Sequence, residues 1–340
     1  MPIDILKKKK RIVIKIGSAL LVDKQHKLRL SWLKSLISDI QLLLQQGKQI
    51  IIVSSGSIAL GREKLNFHKK MLQLPEKQAA AAVGQIELAR AYEHLFTKHH
   101  IITAQMLLTL RDSEDRRRYI NAKNTLNTLL ELSAIPIINE NDTVATSEIR
   151  YGDNDRLAAR VAQMAEADCL ILFSDIDGLY TANPNTHTHA KHLPIVEHIN
   201  HEIEQMAGDS LSNIGTGGMT TKIAAAKIAT ASGADLIICN GQSQSPLNAL
   251  IKGGKHTIFK AQITPHNAKK QWIAHHLDAT GFVMIDAGAE KALFIGKSLL
   301  SVGVSDLSGQ FLKGDVIQIQ NQNKQPIAMG ISNYSAEEVL

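Results

Sequence analysis

The first 260 residues alternate short apolar runs with segments of helical spacing, and this alternation restricts the fold more than any other feature. Helical spacing is clear between Leu33 and Leu44, where apolar residues recur every three or four positions. The apolar runs that we predict to be strands are 12–16, 49–53, 101–107, 135–138, 168–173, 234–239 and 255–259. Strands separated by helices predict an α/β fold, with an open, mostly parallel sheet sandwiched by helices.

Serine, proline and glycine mark where the predicted helices begin and end. Ser31 is a candidate cap for the first long helix and Gly47 a stop, while Pro75 suits the start of the next helix. Gly84 is a predicted weak point inside that second helix, because glycine costs about 1 kcal/mol relative to alanine. The helices that we predict after Pro75 cover 78–96, 119–132, 156–166, 220–232 and 246–251.

The pattern changes after about residue 262, beyond which helical spacing continues only over 272–277. Short strand-like runs separated by polar turns follow, at 281–285, 299–302, 316–319 and 327–331. We therefore predict a large domain over residues 1–260, a linker over 261–272 and a small β-rich domain over 273–340.

The composition is that of a soluble globular protein, 44% hydrophobic and 21% charged. No apolar run reaches the roughly 18 residues of a membrane helix, and the run 12–16 is too short for the apolar core of a signal peptide. We expect a cytoplasmic protein that does not bind membranes. Cys169 and Cys239 lie in apolar runs, so we expect two buried thiols rather than a disulfide or a metal pair.

Two lysines and two glycine-bearing turns follow predicted strands or open predicted helices, at the edge of the sheet where ligands bind. Lys15 ends the first strand and precedes Gly17, which lets a ligand approach the backbone. Gly217-Gly218 opens a helix whose first N–H groups and dipole favour phosphate, and Lys222 follows one turn later. The spacing of Gly217, Gly218 and Lys222 fits neither the Walker motif G-x-x-x-x-G-K-[ST] nor the dinucleotide-binding motif G-x-G-x-x-G. We predict that both lysines bind the phosphates of one nucleotide.

Acids and amides in two further motifs can hold a small molecule that carries a cationic group. Asn139-Glu-Asn-Asp142 follows a strand, and Gly152-Asp-Asn-Asp155 precedes a helix. Asp142 and Asn154 are candidates for the ammonium and carboxylate ends of an amino acid. The carboxylates of the second motif can instead cap the helix, bind Mg²⁺ or orient the lysines.

Two more turns after strands carry polar residues. Ser54-Ser-Gly-Ser57 offers hydroxyls, although an ordinary strand-to-helix turn explains that segment almost as well. Asp175, Asp177 and Gly178 are candidates to border a nucleotide base or ribose, and the glutamate that closes a calcium loop is missing. The three histidines between 187 and 192 have the spacing of a solvated loop, not of a zinc site. We predict no metal site built by protein side chains.

Six motifs in order resemble the amino acid kinase family, and the resemblance covers almost the entire chain. They are Ile14-Lys-Ile-Gly-Ser18 and the segments 53–62, 136–142, 152–155, 177–181 and 215–222. Within that family the chain resembles the bacterial members that phosphorylate L-glutamate. The region after residue 273 resembles the small barrel called the PUA domain, which many of those members carry.

The resemblance implies transfer of the γ-phosphoryl group of ATP to the γ-carboxylate of L-glutamate, with Mg²⁺, as the first step of proline biosynthesis. By position in the motifs, Lys15 would contact the ATP phosphates, Lys222 would offset charge on the leaving ADP, and Asp155 would orient both lysines. Glutamate would be held by Ser55, Gly56, Asp142 and Asn154, and ATP by Lys15, Ser174, Asp175, Thr216, Gly217, Gly218, Met219, Thr220, Thr221 and Lys222. Feedback inhibition by L-proline and assembly into dimers or tetramers are further expectations from the resemblance.

Two alternatives stay open at this point. One is a kinase of the same family that acts on another amino acid or on carbamate. The other is an RNA-binding protein, since PUA domains bind RNA elsewhere and the net charge is +6. Residues 281–340 carry four lysines against six acids, which is not the basic stripe that RNA binding requires, so we do not expect nucleic acid as a partner.

Overall fold

A computed structural model of the chain describes residues 4–67, 71–144, 154–184, 186–207, 218–268 and 279–339. The chain divides into a larger unit, Met1–Glu114 with Ala122–Pro265, and a smaller unit, Asp115–Asn121 with His266–Leu340. The boundaries predicted from the sequence (1–260, 261–272 and 273–340) stay a prediction, because residues 269–278 lie outside the described ranges.

The described residues before 266 form strands and helices in alternation. The strands are β1 (Arg11–Ile16), β2 (Gln49–Ser54), β3 (Thr103–Leu108), β4 (Ile135–Glu140), β5 (Cys169–Ser174), β6 (Leu179–Tyr180), β7 (His192–Leu193), β8 (Ile195–Val196), β9 (Asp235–Asn240) and β10 (His256–Phe259). The helices are α1 (Ser18–Leu21), α2 (Leu30–Gln45), α3 (Ser57–Lys64), α4 (Leu74–Thr97), α5 (Leu110–Glu114), α6 (Arg116–Glu131), α7 (Asn154–Met164), α8 (His201–Met206), α9 (Met219–Ala231) and α10 (Pro246–Ile251).

Eight of these strands form one sheet in the order β3-β4-β2-β1-β5-β9-β10-β8. Neighbouring strands pair in parallel, except that β10 runs antiparallel to β9. Every residue of β4 and β5 is buried, as expected for strands covered on both faces. The predicted open, mostly parallel sheet is confirmed.

Helix α2 shows how the apolar pattern becomes packing. Its buried face carries Trp32, Leu33, Leu36, Ile37, Ile40 and Leu43. The predicted cap at Ser31 is wrong, because the helix begins at Leu30 and Ser31 lies inside its first turn. Gly47 follows the helix with a φ of 76°, a conformation that glycine adopts without strain, so the predicted stop is confirmed.

Helices α3 and α4 approach each other more closely than side chains normally allow. A Cβ atom at Gly84 would lie 1.8 Å from the backbone oxygen of Ser57, and one at Gly61 would lie 1.8 Å from that of Ala80. Gly84 is therefore a contact point between two helices. The predicted weak point is wrong, because glycine at this position allows close packing of α4 against α3. Helix α3 was not predicted, because its sequence has no clear apolar stripe.

The smaller unit is built around a mixed sheet. Its described elements are β11 (Gly281–Ile285), α11 (Ala287–Phe294), β12 (Val304–Ser308), β13 (Val316–Gln320), β14 (Pro326–Ile331) and α12 (Ala336–Val339). The strands pair in the order β12-β11-β13-β14, with β11 and β13 parallel and both outer pairs antiparallel. The core consists of Val283, Ile285, Phe311, Ile317 and Ile319. The expected small β-rich unit is confirmed.

One strand predicted in the smaller unit is wrong. Ser301–Gly303 forms a 3₁₀ turn, and the strand begins only at Val304. Leu300 and Val302 are 67% and 87% exposed, so their apolar side chains gain no burial from pairing there. The predicted helix at 272–277 lies outside the described residues.

Cys169 and Cys239 are buried free thiols, as predicted. Burial raises the pKa of the Cys169 thiol to about 12. Among the residues that the structure describes, none of the helices combines the length and hydropathy that a membrane crossing requires.

Candidate active site

Two buried lysines hold one buried carboxylate at the carboxyl end of β1. Lys15 is the penultimate residue of β1, Asp155 is the second residue of α7, and Lys222 lies one turn into α9. The Lys15 Nζ atom is 2.5 Å from Asp155 Oδ1, and the Lys222 Nζ atom is 3.1 Å from Asp155 Oδ2. Asp155 is 0% exposed, Lys15 8% and Lys222 4%. The structure thus brings both predicted lysines to one carboxylate.

The charges of this cluster set the ionisation of Asp155. Burial raises the pKa of the carboxyl, but the charges of Lys15 and Lys222 and their hydrogen bonds outweigh burial, so the pKa lies below its ordinary value of 3.8. Two cations and one anion leave one net positive charge in a desolvated place. A buried cluster with a net positive charge favours the binding of an anionic ligand such as a phosphate.

Asp155 does not act as the helix cap that the sequence left open. It lies inside α7, and its side chain pairs with the two lysines. The other capping candidate, Asp153, lies outside the described residues, as does Gly152.

The start of α9 has the features of a phosphate-binding helix N-terminus. Gly218 takes the N-cap position in an extended conformation. Because glycine has no side chain, it makes no capping hydrogen bond to the N–H groups of the first turn. A Cβ atom at Gly218 would meet no described atom within 4 Å. Thr221 Oγ1 donates to the Gly218 backbone oxygen at 2.8 Å and lies 3.3 Å from Asp155 Oδ2. The other predicted ATP residues of this segment lie either in the same turn (Met219 and Thr220) or outside the described residues (Thr216 and Gly217).

Gly17 lies close to the ammonium group of Lys15. Its φ of −71° is open to any residue, and a Cβ atom there would lie 3.8 Å from Lys15 Nζ and 3.9 Å from the Phe173 backbone oxygen. Within the described residues, then, neither conformation nor packing requires glycine at this position. That a ligand approaches the backbone here stays a prediction for why the residue is glycine.

Asn154 joins the ends of β2 and β4 to the start of α7. Its Nδ2 atom donates to the Ser54 backbone oxygen at 3.1 Å, to Ser55 Oγ at 2.7 Å and to Asn139 Oδ1 at 3.0 Å. Two predicted substrate residues, Ser55 and Asn154, are therefore in direct contact. Gly56, a third, begins α3 with a φ of 108°, which favours glycine. Asp142, the fourth, is half-buried two residues beyond β4.

Sequence reasoning missed two members of this amide network. Asn139 was part of a motif but had no predicted role, and Gln85 on α4 had none either. Asn139 is 2% exposed, and its Nδ2 atom donates to Gln85 Oε1 at 2.9 Å. The available signal was Gly84, a glycine inside an alanine-rich helix that marks a close contact with another element.

The end of β5 presents the other predicted nucleotide residues. Ser174 Oγ donates to Asp175 Oδ1 at 2.9 Å, and Asn240 Nδ2 donates to the Asp175 backbone oxygen at 3.3 Å. Ser174 is buried and Asp175 is exposed.

The segment that follows is held by side chains from β10 and the turn before it. Lys255 Nζ donates to the Tyr180 hydroxyl at 2.7 Å, and that hydroxyl donates to Asp177 Oδ1 at 2.9 Å. The backbone N–H of Leu179 donates to Thr257 Oγ1 at 2.7 Å. The described ranges contain no group of three or more His, Cys, Asp or Glu side chains placed to hold a metal ion.

Comparison with known families adds independent findings. The model of the amino acid kinase family matches residues 10–240, and the model of the PUA domain matches residues 281–340. A glutamate 5-kinase of Brucella anthropi is 53% identical over 333 residues, which cover 98% of this chain and 88% of that protein. A glutamate 5-kinase of Agrobacterium fabrum is 54% identical over 328 residues, which cover 96% of this chain and 84% of that protein.

A solved structure matches the fold. The crystal structure of UMP kinase from Ureaplasma parvum aligns with 74% of this chain and 99% of its own, with a TM-score of 0.51 and 18% sequence identity. At this identity the likeness concerns the fold alone.

Proposed function

The chain belongs to the amino acid kinase family, and we propose that it transfers the γ-phosphoryl group of ATP to the γ-carboxylate of L-glutamate. The products are ADP and L-glutamyl 5-phosphate, and the reaction is the first step of proline biosynthesis. The choice of glutamate follows from the two glutamate 5-kinases that match this chain over nearly its whole length. No observation favours carbamate, a different amino acid or RNA over this reading.

The convergence of Lys15 and Lys222 on Asp155 is the observation that carries phosphoryl transfer. In this reaction an oxygen of the γ-carboxylate forms a bond to the γ-phosphorus, and the bond from that phosphorus to the β,γ-bridging oxygen breaks. Because a glutamate carboxylate is ionised at neutral pH, no general base is needed. The residues therefore act by holding the two substrates in line and by offsetting negative charge.

Each charged residue has a separate part in this proposal. Lys15 contacts the transferred phosphoryl group, and Lys222 offsets the charge that develops on the leaving ADP. Asp155 holds both ammonium groups in place before ATP arrives, and its low pKa keeps it ionised for that purpose. Asp155 is thus a positioning residue in our proposal, since it acts through the two lysines.

Glutamate is assigned to the pocket at the ends of β2 and β4. Ser55 and Asn154 are in contact there, and Gly56 and Asp142 belong to the same two turns. Asp142 offers a carboxylate to the α-ammonium group of glutamate, and the hydroxyl of Ser55 suits a carboxylate.

ATP is assigned to the edge between β5 and α9. The triphosphate lies at the α9 N-terminus near Gly218 and Lys222, and Ser174 and Asp175 border the nucleoside. Mg²⁺ enters as part of the metal–ATP complex in this proposal. The pairing of Asp155 supports that view, because its buried carboxylate already holds two lysines.

Three further proposals concern the setting of the reaction. L-Proline inhibits by competing for the glutamate pocket, because it carries the same α-ammonium and α-carboxylate groups. The chain acts as a dimer or tetramer, and it acts in the cytoplasm, where ATP and glutamate are available.

An assay of ADP release tests the proposed function. The 340-residue chain is incubated with Mg²⁺–ATP and with glutamate, aspartate, N-acetylglutamate or carbamate in turn, and hydroxylamine traps any acyl phosphate as a hydroxamate. We expect ADP release and hydroxamate with glutamate alone, and a decrease when proline is added. Turnover that prefers another acceptor, or ADP release without hydroxamate, would overturn the assignment of glutamate.

A further inference from the structure

Gln85 contacts the proposed glutamate pocket from outside the family motifs. It lies on α4, far in sequence from the substrate motifs, and accepts a hydrogen bond from the buried Asn139 amide at 2.9 Å. Asn139 in turn contacts Asn154, one of the residues assigned to glutamate. A chain of three amides therefore connects α4 to the pocket.

The packing of α4 explains why Gln85 reaches Asn139. The preceding residue, Gly84, lies against the backbone of Ser57 so closely that a Cβ atom would come within 1.8 Å of its oxygen. Ser57 begins α3 directly after the Ser55-Gly56 turn of the pocket. The glycine contact thus fixes the distance between α4 and the pocket, and Gln85 is the next residue along the helix.

Backbone groups fix the direction of the amides. The N–H of Glu140 donates to Asn139 Oδ1 at 2.9 Å, so the opposite side of that amide is the Nδ2 donor that faces Gln85 Oε1. The Ser54 backbone oxygen can only accept, so the atom of Asn154 that faces it is Nδ2. The remaining atom of the Asn154 amide is Oδ1, an acceptor suited to an ammonium group. Asn154 therefore suits the ammonium end of the amino acid and not the carboxylate end expected from the sequence, because its Nδ2 donor is used within the protein.

We propose that Gln85 is a positioning residue for the amino acid acceptor, which acts through Asn139 to hold the Asn154 amide with its Oδ1 atom presented to the α-ammonium group of glutamate. This inference rests on the proposed function. Without the Gln85 acceptor, the partner that remains for the buried Nδ2 group of Asn139 among the described residues is Ser57 Oγ, at 3.3 Å. Loss of the stronger partner loosens the Asn139 amide and its contact with Asn154, which weakens the binding of glutamate and not of ATP.

A pair of substitutions at Gln85 tests the inference. Gln85→Met keeps the length of the side chain and removes the acceptor, while Gln85→Glu keeps an acceptor oxygen. We expect Gln85→Met to raise the KM for glutamate by about 5- to 100-fold with the KM for ATP within twofold, because an unsatisfied buried donor has an effect of that size. Gln85→Glu should stay within about threefold of the wild type. Gln45→Met, on the exposed last turn of α2, is the matched control and should behave like the wild type.

A substrate analogue separates an ammonium-specific effect from general damage. Glutarate has both carboxylates of glutamate and lacks the ammonium group, so its inhibition constant should be the same in the wild type and in Gln85→Met. If Gln85→Met gives little soluble protein, Gln85→Asn, which draws the acceptor back by one methylene, is measured with the same expectations.

Three results would overturn the inference. They are an unchanged KM for glutamate in the acceptor-free variant, an equal rise for glutamate and ATP, and an equal loss of glutarate binding. The proposed function fails differently, because in that case the wild type itself shows no glutamate-dependent ADP release.

Discussion

Burying Asp155 is unfavourable unless its charge is compensated, and the compensation comes from two lysines of separate elements. One lysine belongs to β1 and the other to α9, so the carboxylate ties together parts of the chain that are more than 60 residues from it. Removing one cation breaks one of two ion pairs inside a desolvated cluster, where breaking a buried pair costs about 3–5 kcal/mol. The same residues therefore affect stability and turnover.

Lys222→Met removes the charge and keeps most of the buried stem. We expect kcat to fall by about 10²- to 10³-fold, because charge-offsetting groups act mainly in the transition state. Asp155 retains Lys15, so the variant folds with a lower melting temperature. Steady-state kinetics and thermal melting measure both effects. The matched control is Lys227→Met, a half-exposed lysine on the same helix that should keep wild-type turnover. Wild-type turnover in Lys222→Met would remove that lysine from the mechanism.

The pH dependence of stability reports on Asp155. Its folded pKa is lowered below the ordinary value of 3.8, so its stabilising contribution is present above about pH 4 and is lost as pH falls through the folded pKa. The wild type should exceed Asp155→Asn by about 3 kcal/mol in free energy of unfolding at pH 7, and the difference should shrink below pH 4. Denaturant titrations at pH 7, 5, 4 and 3.5 measure this. A difference that does not change with pH would mean that the charge of Asp155 is not what stabilises the fold.

Asp142→Ala tests the assignment of the glutamate pocket. Because a carboxylate bonded to an ammonium group contributes about 1.5–3 kcal/mol, we expect the KM for glutamate to rise at least tenfold and the KM for ATP to stay within twofold. Initial rates over a grid of both substrate concentrations separate the two constants. A defect confined to ATP would contradict the assignment.

The sequence predicted the two lysines and Asn154 but not Asn139 or Gln85, for a physical reason. Lys15 and Lys222 each follow or open an element of a parallel sheet, and such elements meet at one edge whatever their exact packing. Gln85 contacts Asn139 only because two helices meet at glycines. That contact depends on tertiary packing, which neither apolar periodicity nor a local motif specifies.

At the scale of elements, the contact between α3 and α4 decides where the pocket lies. Intrinsic propensity alone predicts that Gly84→Ala would stabilise α4 by about 1 kcal/mol. The added methyl group would instead meet the Ser57 backbone oxygen at 1.8 Å, and backbone cannot move aside cheaply. We expect a loss of about 2–4 kcal/mol in the free energy of unfolding, measured by denaturant titration. The exposed Ala82→Gly on the same helix should lose only about 1 kcal/mol and calibrates the propensity effect. An increase in stability for Gly84→Ala would show that the helices separate without cost.

Elements with strong periodicity were predicted well, and elements defined by packing were not. Strand β5 is buried along its whole length, and helix α2 buries an apolar face while Leu30 and Leu42 stay exposed, so the pattern and the structure agree on which face is buried. Helix α3 forms because Gly61 permits contact with α4, which its own sequence does not reveal. The segment at 299–302 has strand-like composition, yet Val302 is exposed and the strand starts later.

At the scale of the whole molecule, the positive charge is unevenly distributed. The chain carries a net charge of +6, while residues 281–340, the segment that matches the PUA domain, carry four lysines and six acids. The excess positive charge therefore belongs to the kinase part of the chain, where the substrates ATP and glutamate are anionic.

This distribution predicts how the chain behaves toward RNA. A nucleic-acid site needs several cations that neutralise phosphates, and its affinity falls steeply with salt. We expect a fluorescently labelled single-stranded RNA to show no saturable anisotropy change with up to about 10 µM protein at 150 mM salt, since non-specific binding is weak under those conditions. Weak binding that appears only at low salt would come from the basic kinase part and should be displaced by ATP. Saturable binding that persists at 150 mM salt and resists ATP would instead place an RNA site in the small domain, against its net negative charge.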